Sequence, residues 1–117
     1  MKVLAFSGSP RENGNTDRLA LAVLEGAKAA GAKTTLYRLN EMNIRGRQAC
    51  NACRKKFECA VKDDMTALYG EMVTADAVIL ASPVYMFQMT GQTKLFVDRL
   101  FPLLESDFTS RLPRESG

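Results

Sequence analysis

Histidine is absent from this chain of 117 residues, and its absence excludes several kinds of catalytic site. The chain can hold no Ser-His-Asp triad, no Cys-His nucleophile pair and no histidine-ligated zinc centre. Any catalysis must then depend on a cofactor or on cysteine, tyrosine, lysine, arginine and carboxylate side chains. The lack of histidine therefore favours a cofactor.

Long apolar runs are also missing. No stretch approaches the roughly 20 residues that a membrane helix needs, and the N-terminal apolar run is too short for a signal peptide. A hydrophobic fraction of 46% with 25% charged residues is typical of one soluble globular domain. We therefore expect a cytoplasmic protein with no membrane partner.

A strong excess of charge of one sign is missing as well. The net charge is only +3, and the basic residues are scattered apart from the cluster 54–56. Nucleic-acid binding normally shows a stripe or patch of positive charge, so we expect no nucleic-acid partner. The cluster is typical of a solvated loop, although an anionic small molecule would suit its charge equally well.

Hydrophobic periodicity predicts three strands that alternate with three helices. The strands are expected at about 2–7, 34–39 and 76–82, and the helices near 16–30, after Asp63 as a capping residue, and after Gly91. The third strand is apolar throughout its centre, as expected of a strand covered on both faces. Pro102 should kink or end the third helix. The predicted buried faces of the three helices are Ala20, Val23, Leu24 and Ala27; Met65, Leu68, Tyr69, Met72 and Val73; and Val97, Leu100, Phe101 and Leu104.

This alternation predicts an α/β fold with a parallel sheet, half of a doubly wound, flavodoxin-like arrangement. In the flavodoxin-like strand order, strands one and three are neighbours and flank the switch point at which ligands bind. The loops that follow these two strands should therefore converge. We assign residues 1–105 to this domain and residues 106–117 to an irregular tail.

The N-terminal loop, residues 7–16, has the composition of a phosphate cradle. Gly8 and Gly14 allow the backbone to approach a ligand closely, and hydroxyl and amide side chains together with Arg11 supply donors. The helix that begins just beyond adds unpaired N–H groups. Ordinary turn and capping chemistry is the alternative interpretation.

The second loop, residues 82–91, is unusually apolar and aromatic for a connection. Such a patch commonly marks a binding or contact surface. A flat aromatic ligand beside a phosphate site would explain both loops together. Packing against a neighbouring subunit is the alternative, and the two can coexist.

Four motifs together resemble the NAD(P)H-dependent FMN reductases, and in particular their iron-sulfur flavoprotein branch. They are the segment 7–16, a Cys-x-x-Cys…Cys pattern, Asp63-Asp64-Met65, and Ser82-Pro83-Val84-Tyr85, and the resemblance extends to about Leu104. It implies FMN at the switch point, NAD(P)H as transient electron donor, and a flavin, a quinone or a similar small molecule as acceptor. It implies no catalytic side chain, because the chemistry lies on the cofactor. By this resemblance the 5′-phosphate would be held by Ser9, Arg11, Asn13, Asn15 and Thr16, and the ring lined by Pro83, Val84, Tyr85, Met86 and Phe87.

The cysteine pattern departs from that branch. A [4Fe–4S] cluster normally needs four thiolates, whereas this chain has Cys50, Cys53 and Cys59, with Arg47 where the first ligand would fall. We therefore expect no such cluster. A three-cysteine zinc site lacks a histidine, and a Cys50–Cys53 redox pair has no further support. A retained loop with reduced thiols is the interpretation we favour.

The length departs as well, since the family's fold has five strands and three are predicted here. The third strand would lie at an open edge of the sheet. Truncation is the explanation we favour, ahead of an edge covered by another copy or a compact variant, and truncation would weaken FMN affinity.

We expect a homo-oligomeric, FMN-dependent oxidoreductase. The alternatives are a non-enzymatic flavin-binding electron carrier and a truncated, inactive fragment that acts only by association.

Overall fold

A computed structural model of the chain describes residues 1–48, 62–100 and 103. In chain order the elements are β1 (Lys2–Ser7), α1 (Asn15–Ala29), β2 (Lys33–Arg38), a 3-10 turn (Leu39–Glu41), α2 (Met65–Thr74), β3 (Ala77–Ala81), β4 (Val84–Tyr85), β5 (Gln88–Met89) and α3 (Gly91–Asp98). The three cysteines, the cluster 54–56, Phe101, Pro102, Leu104 and the tail 106–117 lie outside the described residues. Among the described residues no helix has the length and apolar character needed to cross a bilayer.

The main sheet is parallel and has the strand order β2-β1-β3, which confirms the predicted flavodoxin-like arrangement. Ala5 of the central strand lies opposite Leu36 on one side and Ile79 on the other. Residues 3–7 of β1 are buried, as a central strand requires. The carboxyl ends of all three strands therefore meet at one edge, where the two loops begin.

Alternate side chains of β1 enter two separate cores. Leu4 and Phe6 pack with the buried residues of α2 and α3, whereas Val3 and Ala5 pack with α1. The Phe6 ring stacks against Tyr37 and Phe96, with centroids 5.1 and 4.4 Å away. This alternation is the period of two that a strand covered on both faces must show.

The predicted helix faces are largely confirmed. Ala20 and Leu24 of α1 are buried, and so are Met65, Leu68 and Met72 of α2. The inclusion of Val23 was wrong, because its position on α1 turns it toward solvent and leaves it 52% exposed. In α3 the buried residues are Thr93, one turn before Val97, and Phe96, one position before it. Val97, and Leu100 just beyond the helix, pack only partly.

The expectation that β3 is covered on both faces was wrong. Ile79 and Ala81 pack toward α1, but Val78 and Leu80 are 40% and 43% exposed. The reason is that the core residues of α2 and α3 pack over Leu4 and Phe6 of the central strand. In the described sheet β3 is an edge strand, as the expectation of an open edge requires.

Candidate functional site

The N-terminal and second loops are joined directly at the carboxyl end of the sheet. The Gly8 amide donates to the Ala81 carbonyl at 2.8 Å, and the Thr90 hydroxyl donates to the Gly8 carbonyl at 2.7 Å. Thr90 is the N-cap of α3, since its Oγ1 accepts from the Thr93 amide at 3.2 Å. The beginning of α3 is thus fixed against the N-terminal loop.

Gly8 is where the two loops approach most tightly. A Cβ atom there would stand 1.7 Å from Thr93 Oγ1, which no real contact allows. Thr90 and Thr93 are both buried, and their hydroxyl oxygens lie 2.7 Å apart. Sequence reasoning missed both threonines, although a threonine immediately before a helix is a recognisable N-cap signal.

Ser9 shapes the N-terminal loop from within. Its side chain is buried, and its Oγ accepts from the Arg11 amide at 3.2 Å while donating to the Arg11 carbonyl at 3.3 Å. These bonds fold the chain back into a tight turn before α1. The hydroxyl of Ser9 therefore serves the shape of the loop.

The donors of the N-terminal loop face outward. Arg11 is exposed, and its guanidinium makes no hydrogen bond or ion pair to any other residue in the described ranges. Gly14 is the N-cap of α1 without a side-chain cap, which leaves first-turn N–H groups for a ligand. Asn15 is exposed and Thr16 half-buried at that end of the helix. This combination of free cation and open helix terminus is chemically suited to an anion.

Asn13 adopts a left-handed conformation, with φ of 57°. Asparagine tolerates this region better than most residues, at some cost in free energy. Its backbone N–H donates to Asp17 Oδ2 at 3.0 Å, which offsets that cost and turns the chain into α1.

Asp17 and Arg38 hold this loop from beneath, and sequence reasoning missed both. The Asp17 carboxylate accepts from the Ser7 hydroxyl at 2.5 Å and from Arg38 Nη1 at 2.5 Å. Arg38 Nη2 also donates to the Ser9 carbonyl at 3.2 Å. Burial acts to raise the pKa of Asp17, but the hydrogen bonds from Ser7 and Asn13 and the charge of Arg38 outweigh it and hold the pKa below its usual range.

The second loop contains a short antiparallel hairpin where only a loop was predicted. Strands β4 and β5 pair Val84 with Met89 and Tyr85 with Gln88. The turn residues Met86 and Phe87 have φ of 49° and 64°, the positive values that tight hairpin turns demand. Asparagine and glycine usually supply such angles, so Met86-Phe87 carries no recognisable turn signal.

The hairpin presents an apolar surface beside the N-terminal loop. Met86 and Phe87 are 89% and 93% exposed, Val84 and Tyr85 are exposed, and Pro83 is half-buried. The Ser82 hydroxyl accepts from the Thr90 amide at 3.0 Å and closes the base of the hairpin. The ten residues predicted to form one site thus lie on two loops that are hydrogen-bonded to each other.

A second buried ion pair lies at the other end of α3. Asp63 accepts from both terminal nitrogens of Arg99, at 2.6 and 3.1 Å, and from the backbone amides of Arg45 and Met65. Asp63 thus binds the first amide of α2, but the N-cap itself is Asp64, one residue later than predicted. Burial opposes ionisation, but these donors outweigh it and hold the pKa of Asp63 below its usual range.

Comparison with known proteins places this architecture in a family. Residues 1–111 match the family model described as NADPH-dependent FMN reductase. An iron-sulfur flavoprotein of Methanosarcina thermophila is 37% identical over 108 residues, which cover 92% of this chain and 56% of that protein. The chain spans about half the length of the curated relatives that it matches.

Two solved structures support the fold. A flavone reductase has a TM-score of 0.63 at 27% identity, covering 87% of this chain and 30% of that one. The RosB structure, which holds a formylated riboflavin phosphate intermediate, has a TM-score of 0.67 at 18% identity, covering 86% of this chain and 42% of that one. The chain belongs to the NADPH-dependent FMN reductase family.

Proposed function

We propose that this chain binds FMN where its two loops meet and works as an FMN-dependent oxidoreductase. Electrons would come from NAD(P)H and pass to a flavin, a quinone or a similar small acceptor. The observation that carries the proposal is the Thr90–Gly8 hydrogen bond, because it places a donor-rich loop and an apolar hairpin side by side. A phosphorylated aromatic ligand needs both surfaces at once.

The N-terminal loop supplies what a phosphate dianion requires. Arg11 offers a cation that has no partner among the described residues, and the open end of α1 offers backbone N–H groups. Asn13, Asn15 and Thr16 add amide and hydroxyl groups around the same turn. Ser9 would contribute by holding the Arg11 backbone in place.

The hairpin supplies what a flat ring requires. Val84, Tyr85, Met86 and Phe87 form the exposed part of this surface, and the half-buried Pro83 precedes it. Exposed apolar side chains of this size are costly in water unless a ligand or a partner covers them. Covering by an isoalloxazine ring would remove that cost.

FMN, when bound, supplies hydride acceptance and onward electron transfer. The protein's own residues then need only bind, orient and shield. Arg11 would neutralise phosphate charge, and Thr90 and Gly8 would fix the distance between the two loops. Proton transfer by a side chain is not required of this site.

A homo-oligomer is part of the proposal. Val78 and Leu80 on the edge strand and Phe87 on the hairpin are exposed apolar side chains. A second copy or further chain could cover them. Size-exclusion chromatography with light scattering measures the molar mass of the assembly directly.

Steady-state oxidation of NAD(P)H tests the enzymatic proposal. The chain, saturated with FMN, should oxidise NADH or NADPH faster than free FMN does when a quinone is present. A flavin-binding electron carrier predicts bound FMN without this turnover. Bound FMN with no rate above that of free FMN would therefore favour the carrier and contradict the enzyme.

A further inference from the structure

Asp17 and Arg38 form a nearly buried ion pair directly beneath the N-terminal loop. Their side chains are 4% and 15% exposed, and the charged atoms lie 2.5 Å apart. Neither residue belongs to the set expected to contact FMN. Through hydrogen bonds to Ser7, Ser9 and Asn13, however, the pair reaches three residues of that loop.

Arg38 acts on Arg11 through Ser9. One guanidinium nitrogen of Arg38 donates to the Ser9 carbonyl. The Ser9 hydroxyl in turn donates to the Arg11 carbonyl and accepts from the Arg11 amide. A shift at Arg38 would therefore move the segment that carries the Arg11 guanidinium. The position of the proposed phosphate-binding cation therefore depends on a residue outside the set expected to contact FMN.

Charge gives Arg38 a second role. Asp17 lies in the first turn of α1, at the end of the helix where an anion would bind. An unpaired carboxylate there would repel a phosphate dianion at the same helix end, and because Asp17 is buried, salt would screen its charge only weakly. Arg38 offsets that charge. Glu41 also faces Arg38, at 3.5 Å, but its side chain is 57% exposed and water screens it.

We propose that Arg38, paired with Asp17, is a positioning and specificity-determining residue that makes this site prefer a phosphorylated flavin over riboflavin. The inference rests on the proposed function and deepens it. Both of its effects, the placement of Arg11 and the neutralisation of Asp17, act on the phosphate and leave the ring surface on the hairpin untouched. Loss of Arg38 should therefore weaken FMN binding selectively.

Fluorescence titration of the full chain with FMN and with riboflavin tests this inference. Arg38→Gln should weaken FMN binding at least about tenfold, while riboflavin affinity changes less than about threefold. Arg38→Lys, which keeps the charge but cannot bridge Asp17 and Ser9, should lose part of the preference. Glu41→Gln is the matched control and should leave both affinities unchanged. Asp17→Asn combined with Arg38→Gln should recover part of the lost FMN affinity, because no buried carboxylate remains to repel the phosphate.

Each outcome has a distinct meaning. Equal weakening of FMN and riboflavin in Arg38→Gln would assign Arg38 a merely structural role and overturn the inference, as would no change in either. If the glutamine variant does not fold, the same comparison in Arg38→Lys decides. Wild-type chain that binds both flavins equally would overturn this inference alone. Wild-type chain that binds neither would remove the proposed function and this inference together.

Discussion

The Thr90 hydroxyl donates a 2.7 Å hydrogen bond to the carbonyl of Gly8, a residue 82 positions earlier in the sequence. This bond joins the end of the first strand to the beginning of α3. The close approach of the two loops also requires glycine at position 8, because a Cβ atom there would overlap the Thr93 hydroxyl. The geometry of the whole candidate site depends on this one approach.

Gly8→Ala should therefore destabilise the protein by about 1–3 kcal/mol, the usual cost of overpacking a tight contact. Gly26→Ala is the matched control, because a Cβ at that helix position meets nothing within 4 Å. The control should stabilise the fold by roughly 0.5–1 kcal/mol, since alanine suits a helix interior better than glycine. Urea unfolding followed by circular dichroism measures both changes. Adding Thr93→Ala to Gly8→Ala should recover part of the loss, and equal effects at positions 8 and 26 would contradict this account.

Asp63→Ala should cost about 3–5 kcal/mol in the free energy of unfolding, because it removes one partner of a buried ion pair with the Arg99 guanidinium. Asp98→Ala breaks the ion pair with Lys94, whose side chains are 38% and 62% exposed, and should cost no more than about 0.5 kcal/mol. Chemical denaturation of the two variants gives the comparison. Similar losses in both would show that burial does not set the strength of these pairs.

The stability of the fold should fall in acid because of Asp17 and Asp63. Both carboxyls have folded-state pKa values below their usual range, so the unfolded chain binds protons more readily. Their contribution is fully present above the unfolded pKa of about 3.9 and is lost as pH falls through the lower folded values. Denaturation midpoints measured between pH 7 and pH 3 should fall less steeply in Asp63→Asn than in the wild type. Identical pH profiles for the wild type, Asp17→Asn and Asp63→Asn would contradict this assignment.

The hairpin turn should show a conflict between stability and binding. Met86 and Phe87 occupy left-handed conformations that cost side-chain-bearing residues about 1 kcal/mol or more each. Replacing them together by Asn and Gly should therefore raise the melting temperature while lowering FMN affinity, because the exposed apolar surface is lost. Val23→Thr, a change at an exposed apolar position on α1, is the control for FMN affinity. A double variant that is more stable and binds FMN as well as the wild type would exclude these two side chains from the site.

Much of the fold was predictable because its signals are local. The apolar run of β1 and the helical spacing of Met65, Leu68 and Met72 identify their elements from sequence alone. Strand order followed from the flavodoxin-like arrangement, in which strands one and three are neighbours. The exposure of Val78 and Leu80 could not be predicted, because the sequence of an apolar strand is similar whether or not another element covers its face.

The ion pair that supports the N-terminal loop was not predictable, because its two residues are distant in the sequence. Arg38 reads as an ordinary charged residue at the end of a strand, and Asp17 as an acidic residue in the first turn of a helix. Only the fold brings them together beneath the N-terminal loop. The hairpin was missed because Met86-Phe87 lacks the residues that usually mark such a turn.

FMN binding by the chain itself tests the central claim most directly. Titration of FMN against the wild type, followed by quenching of flavin fluorescence, should give saturable binding of one flavin per chain. Arg11→Ala should weaken that binding by roughly 1.5–3 kcal/mol, the usual strength of a hydrogen bond to a charged group. Lys33→Ala, which removes an exposed cation at the opposite end of the sheet, should leave it unchanged. Absence of saturable binding, or an affinity that Arg11→Ala and Lys33→Ala alter equally, would contradict the account.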